Sequence, residues 1–167
     1  QNRPYDPAHY ETTLSSLQKL GIPSVTYFIC GFASDTRMTV AANLAYLYIR
    51  PTLSGISLFY PVPGIGGFED RTVFDSVHPA LCAGASVWPW NGSLSTETMV
   101  TAFRLSRYIN LCKQRNRSGL EHEIVGRIRR DKKLYTILRR GKGREVIPVP
   151  VQDEELVRLF FRRIDGP

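Results

Sequence analysis

From His9 to Leu20 the apolar residues Tyr10, Leu14 and Leu17 fall on one helical stripe, and Gly21-Ile22-Pro23 ends the pattern. Ser24 to Phe32 follows as a continuous run of β-branched and aromatic residues, the length of a strand. Such a run suits a strand buried on both faces, as in a parallel sheet covered by helices. Asp35 or Thr36 is placed to cap a second helix in which Val40, Leu44, Leu47 and Tyr48 recur at helical spacing, and Pro51 closes it. Gly55 to Tyr60 is a second short apolar strand. The alternation of helix and strand with short links predicts a right-handed β/α unit and hence α/β architecture. Two strands make too small a sheet of this kind, so its neighbours are expected upstream.

Residues 61–94 break the periodicity with Pro61-Val62-Pro63-Gly64, Gly66-Gly67 and Trp88-Pro89-Trp90. They read as a long structured loop, of the sort that packs over a site. A long helix is expected from about Ser95 to Lys113, with Ser95 as N-cap and Met99, Val100, Phe103 and Tyr108 facing inward. Leu134 to Arg140 and Arg144 to Val151 flank Gly141-Lys142-Gly143, the pattern of a β-hairpin. Asp153 caps a last amphipathic helix carrying Leu156, Leu159, Phe160 and Ile164. Three segments result: 1–70, the β/α part; 71–118, the loop and long helix; 119–167, the hairpin and terminal helix.

Composition changes this picture in two ways. With 43% hydrophobic and 22% charged residues the chain is ordinary for a globular protein, and no apolar run reaches the length of a membrane span. The net charge of +7 is uneven, however: residues 1–95 carry −1 and residues 96–167 carry +8. From Arg127 to Arg144 there are nine Lys/Arg against the single acid Asp131. That tract is a candidate contact for RNA or another phosphate-rich partner, weighed against a solvated surface. Cys30, Cys82 and Cys112 are odd in number and far apart, which favours a reducing, cytoplasmic setting over a disulfide scaffold. The chain opens on Gln1 in a polar stretch with two prolines, as expected of a piece of a longer polypeptide.

In parallel sheets ligands bind beyond the C-terminal strand ends. Here those ends are Ile29-Cys30-Gly31-Phe32-Ala33-Ser34-Asp35-Thr36 and Phe59-Tyr60-Pro61-Val62-Pro63-Gly64. Glycine at position 31 would let a flat ligand approach, and the Phe28-Ile29 backbone would read its edge.

In their order and spacing these residues resemble the last two strands of the radical S-adenosylmethionine enzymes, whose fifth strand carries an Ile-x-Gly-x-x-Gly/Ser-Glu/Asp-Thr pattern. The resemblance implies the last β/α units of a partial (β/α)6 TIM-like barrel, followed by a mostly helical extension. Ile29 would take the adenine-contacting backbone role with Phe28 beside it, and Gly31 the close approach. Tyr60, Pro61 and Val62 would wall the adenine pocket. Ser34 stands where many members have Gly, and Tyr27 where the longer motif begins with Gly. Leu81 to Ser86, Trp88-Pro89-Trp90 and the helix after Ser95 look like the C-terminal extension of large bacterial members, some of which carry an upstream cobalamin-binding domain. The family's 4Fe-4S cluster needs cysteines in C-x-x-x-C-x-x-C. The three cysteines here are 52 and 30 residues apart, so the cluster ligands are expected on the missing N-terminal part of the same enzyme. Alone, the chain is expected to be inactive, with an unknown small-molecule substrate and a non-catalytic RNA- or protein-binding module as the alternative reading.

Of the remaining residues, Cys30 reads as packing and Cys82 as a loop thiol over the strand ends. His78, Glu69, Asp70 and Asp75 are loop groups that solvent accounts for, and Glu121-His122-Glu123 is a weak metal pattern.

Overall fold

The computed structural model describes residues 6–62, 64, 72–75, 77–82, 86–90, 94–114, 116–140, 142–149 and 152–166. In chain order the elements are α1 (Pro7–Lys19), β1 (Val25–Cys30), α2 (Arg37–Tyr48), β2 (Leu53–Leu58), the four-residue α3 (Thr72–Asp75), a 3-10 turn (Pro79–Leu81), α4 (Thr96–Lys113), α5 (Gly119–Asp131), β3 (Tyr135–Arg140), β4 (Gly143–Pro148) and α6 (Glu154–Asp165). Pro63, Gly66, Gly67, Glu69, Asp70, Gly84, Asn91–Ser93 and Gly141 lie outside the described residues.

The partial barrel is not there. Among the described residues the strands form two separate two-stranded sheets, β1–β2 parallel and β3–β4 antiparallel. The physical reason is at the edge of β2. Ser54 turns its backbone away from β1, and the Asn110 amide on α4 meets it as a neighbouring strand would. Ser54 N–H donates to Asn110 Oδ1 at 2.7 Å, and Asn110 Nδ2 donates to the Ser54 carbonyl at 2.8 Å. Ser106 Oγ donates to the same carbonyl at 3.0 Å. A helix therefore ends the sheet at β2.

The other edge is open. The Ser24 carbonyl accepts from Leu53 N–H and the Cys30 carbonyl from Phe59 N–H. Alternate residues of a parallel strand aim both backbone groups at the same side. Thr26 and Phe28 therefore also face β2, while Val25, Tyr27 and Ile29 face away, with no further strand among the described residues. Burial of β1 on both faces is likewise corrected. Its Cys30 is in the core, and the partly buried Phe28 packs against that core. Val25, Tyr27 and Ile29 are exposed on the opposite face. On that face the Tyr27 ring lies so close over Gly55 that a Cβ there would meet it at 2.5 Å.

The rest packs on the covered face. One cluster of buried residues runs from Cys30, Val40 and Leu44 through Met99, Leu105 and Tyr108 to Ile128, Leu156 and Phe160. It joins all three sequence segments. On α4, Met99 and Tyr108 are buried as the pattern predicts, but Phe103 is exposed under the Arg107 guanidinium, 4.9 Å from the ring centroid. The helix α5 did not stand out in the hydrophobic pattern. Its Ser118 and Glu121 form a capping box, and only Ile124 and Ile128 are buried.

Asp153 ties three helices together. It is 9% exposed and caps α6, accepting from Leu156 N–H at 3.1 Å. The same carboxylate accepts from Thr98 Oγ1 on α4 and from Arg37 Nε on α2, each at 2.5 Å. Its own N–H donates to Thr101 Oγ1 at 2.8 Å. Burial pushes the Asp153 carboxyl up, but the bonds from Thr98 and Arg37 outweigh it and hold the group below its ordinary value.

A depressed carboxyl stabilises the fold above its unfolded-state value and loses that contribution as pH falls through the folded one. Asp153→Ala is expected to cost about 2–3 kcal/mol in urea unfolding at pH 7, from the lost cap and charged hydrogen bonds. Below pH 4 the gap to wild type should narrow, and a gap that stays constant with pH would contradict this account. Asn110→Ala is expected to cost about 2 kcal/mol by leaving the buried Ser54 N–H unpaired. Hydrogen exchange at the Ser54 amide should accelerate, and the Phe28 amide, inside the β1–β2 ladder, should stay protected.

Candidate functional site

The parallel register sets Ile29 opposite Ser57 and Cys30 opposite Leu58, so the two strands end side by side. Beyond β2 a cavity of about 440 Å³ is lined by Tyr60, Pro61 and Val62, with Phe74, Val77, Pro79 and Cys82 closing it from the loop. Three of the six residues expected to touch adenine therefore meet in one apolar cavity. Phe74, Val77 and Pro79 join them without having been singled out, although apolar residues inside a Gly/Pro-rich loop are the available signal.

The other three stand elsewhere. Phe28 points into the core and its backbone is turned toward β2, so it is not free to read a ligand. Ile29 is 48% exposed on the open face, with its backbone directed to the open edge. Gly31 has φ of +110°, and a Cβ there would meet Met99 Sδ and Phe59 Cβ at 3.4 Å. The close approach it permits is thus to the chain's own residues. Asp35 does not cap α2. Its Oδ2 accepts from the N–H groups of Gly31 at 2.8 Å and Phe32 at 2.9 Å, which fixes the turn after β1. Thr36 caps α2 in a capping box with Thr39. Across this turn the Phe32 and Phe59 rings sit 5.0 Å apart.

The cavity can hold a flat apolar surface, and Cys82 brings a thiol to its wall. Among the described residues that line it there is no carboxylate or imidazole. Cys30 is fully buried, and burial pushes its thiol up to about 12. Cys112 is also raised, chiefly by burial. His78 Nδ1 accepts from Ala80 N–H at 3.2 Å and so caps the 3-10 turn. Among the described residues no three His, Cys, Asp or Glu side chains gather as metal ligands would. Among them, too, no helix is long and apolar enough to cross a membrane.

A second cavity, of about 620 Å³, lies beside the open edge of β1 between α1 and α2, where Tyr27, Phe28, Asn43 and Tyr46 line it. Its walls are held by Tyr10, whose hydroxyl lies 2.7 Å from Thr26 Oγ1, and by Glu11, bonded to Tyr46 and Arg50.

Six of the nine cations of the basic tract lie within ion-pair distance of an acid, at the surface. Arg127 pairs with Glu123, Arg129 and Lys132 with Asp165, Arg130 with Asp131, Lys133 with Glu154 and Arg140 with Glu145. Arg139, Lys142 and Arg144 have no ion pair among the described residues, and Arg139 stands directly opposite Arg144 in the hairpin.

Gly31→Ala is expected to lower stability by about 1–3 kcal/mol, because an L side chain at that φ is strained. Equilibrium denaturation measures this, and a neutral substitution would return Gly31 to the ligand-approach role expected from the sequence. Comparison with protein-family models, curated proteins and solved structures finds no match to this chain.

Proposed function

We propose that this chain is a C-terminal portion of a radical S-adenosylmethionine enzyme, in which it walls the adenine side of the cofactor site. The observation that carries the reading is the parallel alignment of the two strand ends, with Tyr60, Pro61 and Val62 around an apolar cavity beyond them. About 440 Å³ is within the range of small-ligand sites, and its apolar lining suits a flat heteroaromatic ring.

In this reading the chain contributes shape and not the reacting groups. S-adenosylmethionine, when bound with a 4Fe-4S cluster in the parent protein, supplies the radical chemistry. Tyr60, Pro61 and Val62 cover the ring and exclude water from it. The cluster ligands belong to sequence outside this chain, as would a cobalamin domain, and the parent protein works in a reducing, cytoplasmic setting. An RNA contact through the hairpin has less support, because three unpaired cations offer few phosphate contacts.

Titrating the 15N-labelled chain with adenosine tests the pocket. Shifts are expected at Tyr60, Val62 and Val77, and Val62→Asp should weaken them at least tenfold. Shifts elsewhere, or none, would remove the pocket assignment. The reading frame before Gln1 tests the family separately: it must encode C-x-x-x-C-x-x-C, and a frame without it rejects membership.

A further inference from the structure

The β3–β4 hairpin has one blunted edge and one open edge. The Leu134 carbonyl accepts from Val149 N–H at 2.9 Å. In the antiparallel register Thr136 and Leu138 therefore also turn their backbone groups toward β4, while Tyr135, Ile137 and Arg139 turn theirs outward. Among the described residues no backbone or side-chain group meets those three. On β4 the outward groups belong to Arg144, Val146 and Pro148. Pro148 has no N–H to offer, and the Val146 carbonyl accepts from Arg127 Nη1 at 3.4 Å. Proteins guard strand edges in such ways, and at β3 the backbone row is left bare.

There is room for a chain beside it. A cavity of about 340 Å³ is bordered by Tyr135, Thr136 and Ile137, with Leu111 of α4 and Ile124 of α5 on the other walls. Successive strand residues face opposite ways, so a space that touches all three lies along the edge of β3 and not under one face.

Charge selects the kind of strand that fits. Arg139, Lys142 and Arg144 have no ion pair among the described residues, and Arg139 stands directly opposite Arg144. Like charges facing each other across a hairpin are destabilising, and an acid beside them offsets this. The neighbouring acids are already engaged, Glu145 by Arg140 and Asp131 by Arg130 and the Tyr135 hydroxyl. A second copy of β3 would bring another Arg139 to the same edge, which opposes self-pairing. Nucleic acid carries negative charge but has no row of alternating N–H and C=O groups to match the edge.

We propose that the outer edge of β3 docks an extended acidic segment of a partner protein, which joins the hairpin as a third strand. Its main chain exchanges hydrogen bonds with Tyr135, Ile137 and Arg139, and its carboxylates lie on the face that carries Arg139 and Arg144. The edge is separate from the strand-end cavity and independent of the family reading.

The probe is an acetylated and amidated eight-residue peptide of alternating glutamate and valine, titrated into the whole 15N-labelled chain. Saturable one-to-one binding is expected, with hydrogen exchange slowed at least tenfold at the Tyr135, Ile137 and Arg139 amides. The Thr136 and Leu138 amides, already in the ladder, should change little. A lysine–valine peptide should bind at least tenfold more weakly. So should a glutamate–proline peptide, which keeps the charge but cannot join a strand. Arg139→Glu, at an exposed position, should lower affinity for the glutamate–valine peptide at least tenfold and melt no lower than wild type. Should that variant fail to fold, the two control peptides on the wild-type chain decide. Equal affinity for either control peptide, protection centred elsewhere, tighter binding of a short single-stranded RNA, or no saturable binding would overturn the proposal.

Discussion

Three helices, α2, α4 and α6, are registered on one carboxylate. Asp153 begins α6, takes a proton donor from α4 and another from α2, and gives its own N–H to α4. Hydrophobic burial alone would let these helices slide, since Leu and Phe surfaces tolerate many offsets. A buried acid with four fixed partners does not. With α6 seated, Phe160 packs edge-on to both Tyr48 and Tyr108, at centroid distances of 6.0 and 6.2 Å. The strand ends then inherit their positions from α2 and α4, which flank them.

Long-range polar contacts also decide how far the sheet extends. Asn110 occupies the edge of β2 with a side-chain amide, a substitute for a strand that takes no part in further pairing. Lys113, one turn later, donates to the carbonyls of Leu47 and Thr52 and so binds the same helix to the end of α2 and the start of β2. The β/α unit is closed along one side by α4 and open along the other, and the two cavities nearest the sheet reflect this. One lies beyond the strand ends and the other beside the open edge.

Local signals in the sequence were read well where the physics is local. The Ser95 cap, the stripe of Val40, Leu44 and Leu47, and the glycine-turned hairpin follow from neighbours within a few residues. Three features were not legible. A continuous apolar run such as Val25–Cys30 has the same composition whether one face or two are covered, so the exposure of Val25, Tyr27 and Ile29 had no signature. The pairing of Asn110 with Ser54 spans 56 residues, and nothing near Asn110 announces it. Gly31 reads from the sequence as room for a ligand to approach, whereas in the fold its φ is positive and Phe59 and Met99 lie beside it. Tyr60, Pro61 and Val62 line one cavity together because they are contiguous just beyond β2.

The asymmetry of the β1–β2 sheet also limits what the chain can do with its own copies. Exposed strand edges invite repeated addition, and a sheet open at both sides propagates without limit. Here two molecules meeting through β1 would leave a four-stranded sheet whose outer strands are both β2, each sealed by its own Asn110. Growth stops after a single event. The amide that terminates the sheet within one molecule would thus also keep any association through β1 finite, a dimer in place of a fibre.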